Sequence, residues 1–135
     1  MRGFFDDNGR PKVRFRVEGT RNSGEIEALF DTGFSGSLAL PPQHLIAVGA
    51  ELVGIEPMTY ADGRTSNELL FRIKVYIRDE PKTIEAHLIP GAGEPIAGVQ
   101  LFDPYVILIH FAKKELDVVL AEVYEKLKEN IGEDE

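Results

Sequence analysis

The chain contains no cysteine among its 135 residues. This absence excludes a disulfide framework, a zinc–thiolate site and a cysteine nucleophile. It fits a reducing compartment, and we expect a cytoplasmic protein. The length indicates one domain, spanning residues 1–135, which is enough to bury a hydrophobic core without covalent cross-links.

Long apolar runs and an excess of basic residues are also absent. The apolar run at 106–109 is far shorter than the ~18 residues of a membrane span, and the first seven residues do not resemble a secretory signal. The formal net charge is −8, and an acidic chain repels phosphate backbones. We therefore expect neither a nucleic acid nor a membrane as a partner.

The first two thirds of the chain predict short strands separated by turns. Apolar and charged residues alternate strictly at 13–18, as in a half-buried strand. Asn8-Gly9 and Asp62-Gly63 are turn dipeptides, and the second predicts a long hairpin with an exposed tip at 61–64. The predicted strands are 13–18, 26–30, 38–40, 52–60, 69–78 and 83–89.

Helical segments and a loop are predicted between and after these strands. Proline at 41 and 42 favours one or two helical turns at 43–48, and 90–95 is predicted to be a flexible loop. Apolar residues at helical spacing predict an amphipathic helix over 116–131, although 116–119 also fits a last strand. The acidic end at 132–135 is expected to fray. The fold class is therefore mainly β, with short helices and a C-terminal amphipathic helix.

Asp31-Thr32-Gly33 is the segment most typical of a functional site. A lone carboxylate follows an apolar strand and enters a turn rich in glycine and serine. Gly33 and Gly36 allow a sharp turn and close backbone approach, and the Thr32 hydroxyl could orient the carboxylate. The residues alone leave open an ordinary turn aspartate.

The Asp-Thr-Gly segment, after two apolar residues, resembles the active-site loop of retropepsin-like aspartic proteases. Ala61 to Arg64 resembles the flap tip, Pro95 to Val99 the apolar-apolar-Gly element behind the catalytic loop, and 105–111 the strand that follows it. The likeness covers roughly residues 12–120, with a helical extension at 116–131. It is closest to archaeal and bacterial single-lobe members in which phenylalanine follows Asp-Thr-Gly.

The resemblance implies a small closed acid-protease barrel and an aspartic endopeptidase that acts on peptides or proteins. It implies no cofactor and no metal. Two carboxylates must share one proton in this chemistry, and the chain has no second Asp-Thr-Gly or Asp-Ser-Gly. A homodimer with one Asp31 from each subunit is therefore implied. The implied roles are catalytic for Asp31, Thr32 and Gly33, substrate-binding for Phe34, Ala61, Asp62 and Gly63, and structural support for Ala97 and Gly98.

Three positions depart from the family pattern. Phe34 stands where many relatives have alanine, serine or threonine. A hydroxyl group there can hydrogen-bond the catalytic carboxylate and lower its pKa, which phenylalanine cannot do, so we expect a less acidic pH optimum than pepsin-like enzymes show. Ser35 and Val99 replace the aspartate and arginine that interlock retroviral dimers. The dimer must therefore form differently, and the C-terminal helix is the candidate interface, although its apolar stripe could instead pack on its own barrel.

Several alternatives remain open on the sequence. The chain could be an inactive retropepsin-like module for dimerisation or peptide binding, or a scaffold with unrelated chemistry. Gly63 could mark a plain hairpin tip, and Phe34 could be a core residue. The three histidines, His44, His87 and His110, lack metal-ligand spacing and are interpreted as ordinary.

Overall fold

The computed structural model describes residues 1–89 and 93–131. The predicted loop at 90–95 lies partly outside these residues, and the predicted frayed end at 132–135 lies wholly outside them. The strands are β1 (Phe4–Phe5), β2 (Pro11–Glu18), β3 (Ser23–Phe30), β4 (Leu38–Leu40), β5 (Glu51–Thr59), β6 (Thr65–Ile77), β7 (Glu80–Leu88), β8 (Ile96–Ala97), β9 (Tyr105–His110) and β10 (Glu115–Leu120). The helices are α1 (Pro42–Val48) and α2 (Ala121–Ile131), and a 3₁₀ turn spans Val99–Phe102.

Within the described residues, eight strands form one sheet in the order β1-β2-β3-β8-β4-β7-β6-β5. β2 also pairs with β6, which closes β2, β3, β8, β4, β7 and β6 into a ring. The fold is therefore mainly β, as the sequence predicts. β9 and β10 form a separate antiparallel pair.

The alternating strands place their apolar side chains inside the ring. Val13, Phe15 and Val17 of β2 are buried, whereas Arg14 and Arg16 between them are exposed. The same alternation buries every second residue of β6 from 73 to 77. Side chains two residues apart share one face of a strand, so this pattern alone decides which face meets the core.

Helix α1 begins and ends at residues that suit those positions. Pro42 stands in its first turn, where a missing backbone N–H costs nothing. Gly49 ends it with a φ of 70°, in the left-handed region that favours glycine. The helical turns predicted at 43–48 are confirmed.

The helix predicted over 116–131 is wrong for its first five residues. Residues 115–120 form β10, paired along its whole length with β9, and the helix begins at Ala121. Leu116 and Val118 are fully buried at a spacing of two, because they line one face of a strand. Strand pairing with β9 therefore overrides the helical spacing, and the alternative of a last strand at 116–119 is correct.

The chain start lies along β10. The backbone N–H of Gly3 donates to the Leu116 carbonyl at 2.7 Å, and that of Val118 donates to the Met1 carbonyl at 2.7 Å. No helix among residues 1–89 and 93–131 is long and apolar enough to cross a membrane.

Candidate active site

Asp31 lies directly after β3, where the chain leaves the sheet. Its backbone N–H donates to the Ala97 carbonyl at 3.0 Å, which continues the parallel pairing of β3 with β8. Its carboxylate accepts a hydrogen bond from the Gly33 N–H at 2.8 Å. The side chain is thus held at the edge of the sheet, half-buried, while Thr32 and Gly33 beside it are exposed.

The segment that begins at Gly98 packs against the loop at 31–37. The Gly98 N–H donates to the Ser37 carbonyl at 2.9 Å, and the next two N–H groups donate to carbonyls of Phe34 and Gly36. A Cβ added at Gly98 would lie only 2.2 Å from the Gly36 carbonyl oxygen. Only glycine permits this approach, so Ala97 and Gly98 together form the backing of the Asp31 loop.

Phe34 is packed rather than free. Its ring is half-buried and meets the His87 ring edge-on, with centroids 5.5 Å apart. Such edge-to-face contacts are favourable because the positive ring edge meets the negative ring face. Phe34 therefore joins the Asp31 loop to β7, and its substrate-binding role stays a prediction.

The β5–β6 hairpin ends in a tight turn at 60–64. The Tyr60 N–H donates to the Arg64 carbonyl at 2.8 Å, and Gly63 has a φ of 86°. The Asp62 carboxylate pairs with the Arg64 guanidinium at 2.6 Å. Ala61, Asp62 and Gly63 are all exposed at the end of this long ribbon. The predicted hairpin and its exposed tip are confirmed, whereas a flap function is not tested by this geometry.

Comparison with known proteins identifies the fold. No protein-family model and no curated protein sequence matches the chain. Among solved structures, the chain is similar to a retropepsin-like aspartic protease from Rickettsia conorii, with a TM-score of 0.56 and 20% identity over 87% of each chain. The chain has a retropepsin-like fold. A particular closeness to archaeal and bacterial members with phenylalanine after Asp-Thr-Gly stays a prediction.

In this retropepsin-like fold the structure brings together one part of the predicted site. Asp31, Thr32, Gly33 and Phe34 share a loop with Ala97 and Gly98 behind it. Ala61, Asp62 and Gly63 occupy the separate hairpin tip. The chain supplies a single Asp-Thr-Gly, and no group of three or more acidic or histidine side chains among the described residues could hold a metal ion.

His87 and Glu56 are two neighbours of the loop that sequence reasoning did not select. His87 is 9% exposed, and its Nε2 lies 3.4 Å from the Glu56 carboxylate of β5. The imidazole thus touches the Asp31 loop through Phe34 and the hairpin through Glu56. No local motif indicates this contact, because β5 and β7 become neighbours on either side of β6 only in the folded sheet.

A group of four charged residues lies close to the segment that enters β8. Arg10 and Lys12 both form ion pairs with Asp6 and with Glu94. The backbone N–H and guanidinium of Arg10 and the backbone N–H of Asn8 hold the pKa of Asp6 below its ordinary value. Burial raises the pKa of Glu94, but the hydrogen bonds from Lys12 and Arg10 outweigh it, so this pKa is also lowered.

This charged group supports the site indirectly. Glu94 precedes Pro95, whose carbonyl accepts the Leu29 N–H at 2.9 Å. That bond lies two residues before Asp31, at the start of the β3–β8 pairing. The ion pairs therefore anchor the strand that holds the Asp31 backbone.

Proposed function

We propose that this chain is an aspartic endopeptidase that hydrolyses peptide bonds as a homodimer, with Asp31 of each subunit at its centre. One observation carries the proposal: an Asp-Thr-Gly turn stands at the end of β3, tied to Ala97 and backed by Gly98, in a retropepsin-like fold. The similar Rickettsia conorii structure is described as a retropepsin-like aspartic protease.

The proposed chemistry uses two carboxylates and one water molecule, and it needs no cofactor or metal. Two carboxyl groups ~3 Å apart cannot both ionise, so the pair shares one proton. The ionised Asp31 takes a proton from the water molecule, and the water oxygen attacks the peptide carbonyl carbon. The protonated Asp31 of the other subunit then supplies the proton that the leaving amine requires.

The proposed chemistry requires a homodimer, because it uses two Asp-Thr-Gly aspartates and each chain supplies one. A two-fold axis beside the exposed Thr32 would place the two Asp31 side chains face to face, with the Thr32 hydroxyls bonding across the axis. Helix α2 supports an interface elsewhere, because Val123 and Leu127 remain 41% and 44% exposed on it. We propose that these side chains pack against the second subunit.

The proposed substrate is an extended peptide or protein segment. It would lie between the Asp31 loop and the tip at Ala61, Asp62 and Gly63, which would close over it as a flap. Phe34 would form part of the wall next to the reacting bond. The absence of cysteine from the chain agrees with action in the cytoplasm.

Digestion of a broad peptide library tests the proposal, with Asp31→Asn as the decisive variant. The substitution removes the ionisable group and keeps the side-chain shape, so we expect cleavage to fall by at least about a thousandfold while the urea midpoint stays unchanged. Asp7→Asn, in the exposed β1–β2 turn, is the matched control and should cleave like the wild type.

Two outcomes would contradict the proposal. Equal cleavage by the wild type and Asp31→Asn would assign the activity to a contaminant or another site. A wild-type protein that dimerises and binds peptides without cleaving any of them would favour the inactive dimerisation or peptide-binding module.

A further inference from the structure

A cleft of about 520 Å³ opens between the Asp31 loop and the β5–β6 hairpin. Gly36 and Ser37 of the loop form one wall, and Glu56 of β5 forms part of another. His87 of β7 lines the cleft between them. In the proposed peptidase, a peptide bound between the loop and the hairpin would place some of its side chains in this cleft.

Negative charge predominates in the cleft. Among the described residues that line it, the carboxylates of Glu56, Glu85 and Asp103 face one ammonium group, that of Lys82. The Lys82 ammonium donates a hydrogen bond to the Gln100 carbonyl at 3.1 Å. This ammonium group is therefore held at the wall by a backbone acceptor, and the described carboxylates of the lining outnumber it.

The position of Glu56 carries an electrostatic cost of its own. Glu56 on β5 stands directly opposite Glu68 on β6, so both side chains project from the same face of the hairpin. Like charges directly opposed across a strand pair are destabilising. A cation bound beside Glu56 would offset this repulsion. A positively charged ligand would therefore gain more binding free energy than a single ion pair provides.

His87 contacts the Glu56 carboxylate at the cleft wall. Its Nδ1 is buried and has no hydrogen-bond partner within the described part of the chain, whereas Nε2 lies 3.4 Å from the carboxylate. The neutral tautomer with hydrogen on Nε2 fits this geometry, because it donates to Glu56 and buries no unpaired N–H. The side chain of Glu56 remains 49% exposed at the cleft.

We propose that this cleft is a subsite for a cationic side chain of the peptide substrate, arginine or lysine, and that Glu56 determines the preference. The inference rests on the proposed function and specifies its substrate class. The net charge of −8 acts in the same direction, since it raises the local concentration of cationic peptides.

The test is a positional peptide library digested by the wild type, Glu56→Gln and Glu56→Lys. We expect the wild type to favour arginine or lysine over alanine at one position by about tenfold in kcat/KM, as a charge-assisted hydrogen bond provides. Glu56→Gln should weaken that preference, because Glu85 and Asp103 remain in the lining, and Glu56→Lys should abolish it, because two ammonium groups then face two carboxylates. Glu51→Gln is the control, because Glu51 lies on the same strand but pairs with Arg72 outside the cleft.

A second readout separates this inference from the proposed function. Fluorescent peptides with arginine, alanine or glutamate at that position would be bound to the Asp31→Asn protein and followed by anisotropy. Preferential binding of the arginine peptide that Glu56→Gln weakens and Glu56→Lys abolishes supports the subsite, even if the wild type cleaves nothing and the hydrolysis proposal falls. The subsite is overturned if neither cleavage nor binding favours arginine or lysine, or if that preference is unchanged in both Glu56 variants. Either outcome leaves the peptidase proposal intact.

Discussion

At the scale of single residues, the Asp31 loop depends on the absence of a side chain at position 98. The Gly98 Cα faces the carbonyl oxygens of Phe34 and Gly36, and a Cβ there would lie 2.5 and 2.2 Å from them. These are backbone atoms, which cannot move aside without moving the loop itself. The geometry of the loop that carries Asp31 is therefore coupled to a glycine that lies far from it in the chain.

Gly98→Ala is therefore expected to destabilise the fold. Overpacking against backbone atoms typically costs about 1–3 kcal/mol, so the urea midpoint should fall clearly. Gly24→Ala is the control, because a Cβ at Gly24 meets nothing within 4 Å, and it should leave the midpoint nearly unchanged. Equal midpoints for the two variants would show that the loop yields to the added methyl group.

Phe34 leads to a prediction about pH. Its ring packs against His87 and offers no hydroxyl group to the Asp31 carboxylate, so we expect kcat/KM to peak above about pH 4. Phe34→Ser supplies a hydroxyl group and should move the peak to lower pH. A wild-type pH–rate profile that peaks below about pH 4 would contradict the prediction.

At the scale of elements, the β1–β2 hairpin and the segment before β8 are joined by charges. Asp6 and Glu94 share Arg10 and Lys12 as partners, with the closest ion pair, Arg10 to Glu94, at 2.8 Å. The pKa values of both carboxyl groups are lowered in the folded protein. The folded chain therefore stabilises the ionised form of each carboxyl group more than the unfolded chain does.

This linkage predicts a loss of stability in acid. Because the folded pKa values lie below the unfolded ones, the stabilisation is complete above the unfolded values of about 4 and is lost as the pH falls through the folded values. Asp6→Asn should reduce the difference between the urea midpoints measured at neutral pH and at about pH 3. Asp7→Asn, in the same turn, is the control. An equal pH dependence of the urea midpoint in both variants would show that Asp6 does not contribute to the loss of stability in acid.

At the scale of the whole molecule, the proposed activity requires two chains. Each chain has a mass of 15.0 kDa and one Asp-Thr-Gly. The exposed apolar side chains of α2, Val123 and Leu127, form the interface that we propose. Dimer formation would hide these side chains from water and complete the pair of carboxylates at once.

Light scattering after size exclusion tests the assembly at micromolar concentration. We expect a mass close to twice 15.0 kDa for the wild type and a shift toward the monomer for Leu127→Glu, because a buried charge opposes association. Ile46→Glu is the matched control, since Ile46 is 67% exposed on α1. A monomeric wild type at every concentration would overturn the dimer, and a dimeric Leu127→Glu protein would place the interface elsewhere.

The sequence by itself determined the features that depend on neighbouring residues. Alternation at 13–18 determined the buried face of β2, and turn dipeptides determined the hairpin ends near Gly9 and Gly63. The Asp31 loop was also predictable, because its apolar strand, carboxylate and glycines are contiguous in the chain. Periodicity and turn chemistry act over a few residues, so they can be read without a fold.

Only the tertiary structure decided the features that depend on distant residues. Residues 116–120 have helical spacing, yet they form a strand because β9 supplies its hydrogen bonds. Glu56 and His87 are 31 residues apart, and their contact requires β5 and β7 to pair with opposite edges of β6. Local patterns carry no information on such pairings, because the free energy that selects them comes from contacts that exist only once the sheet has closed.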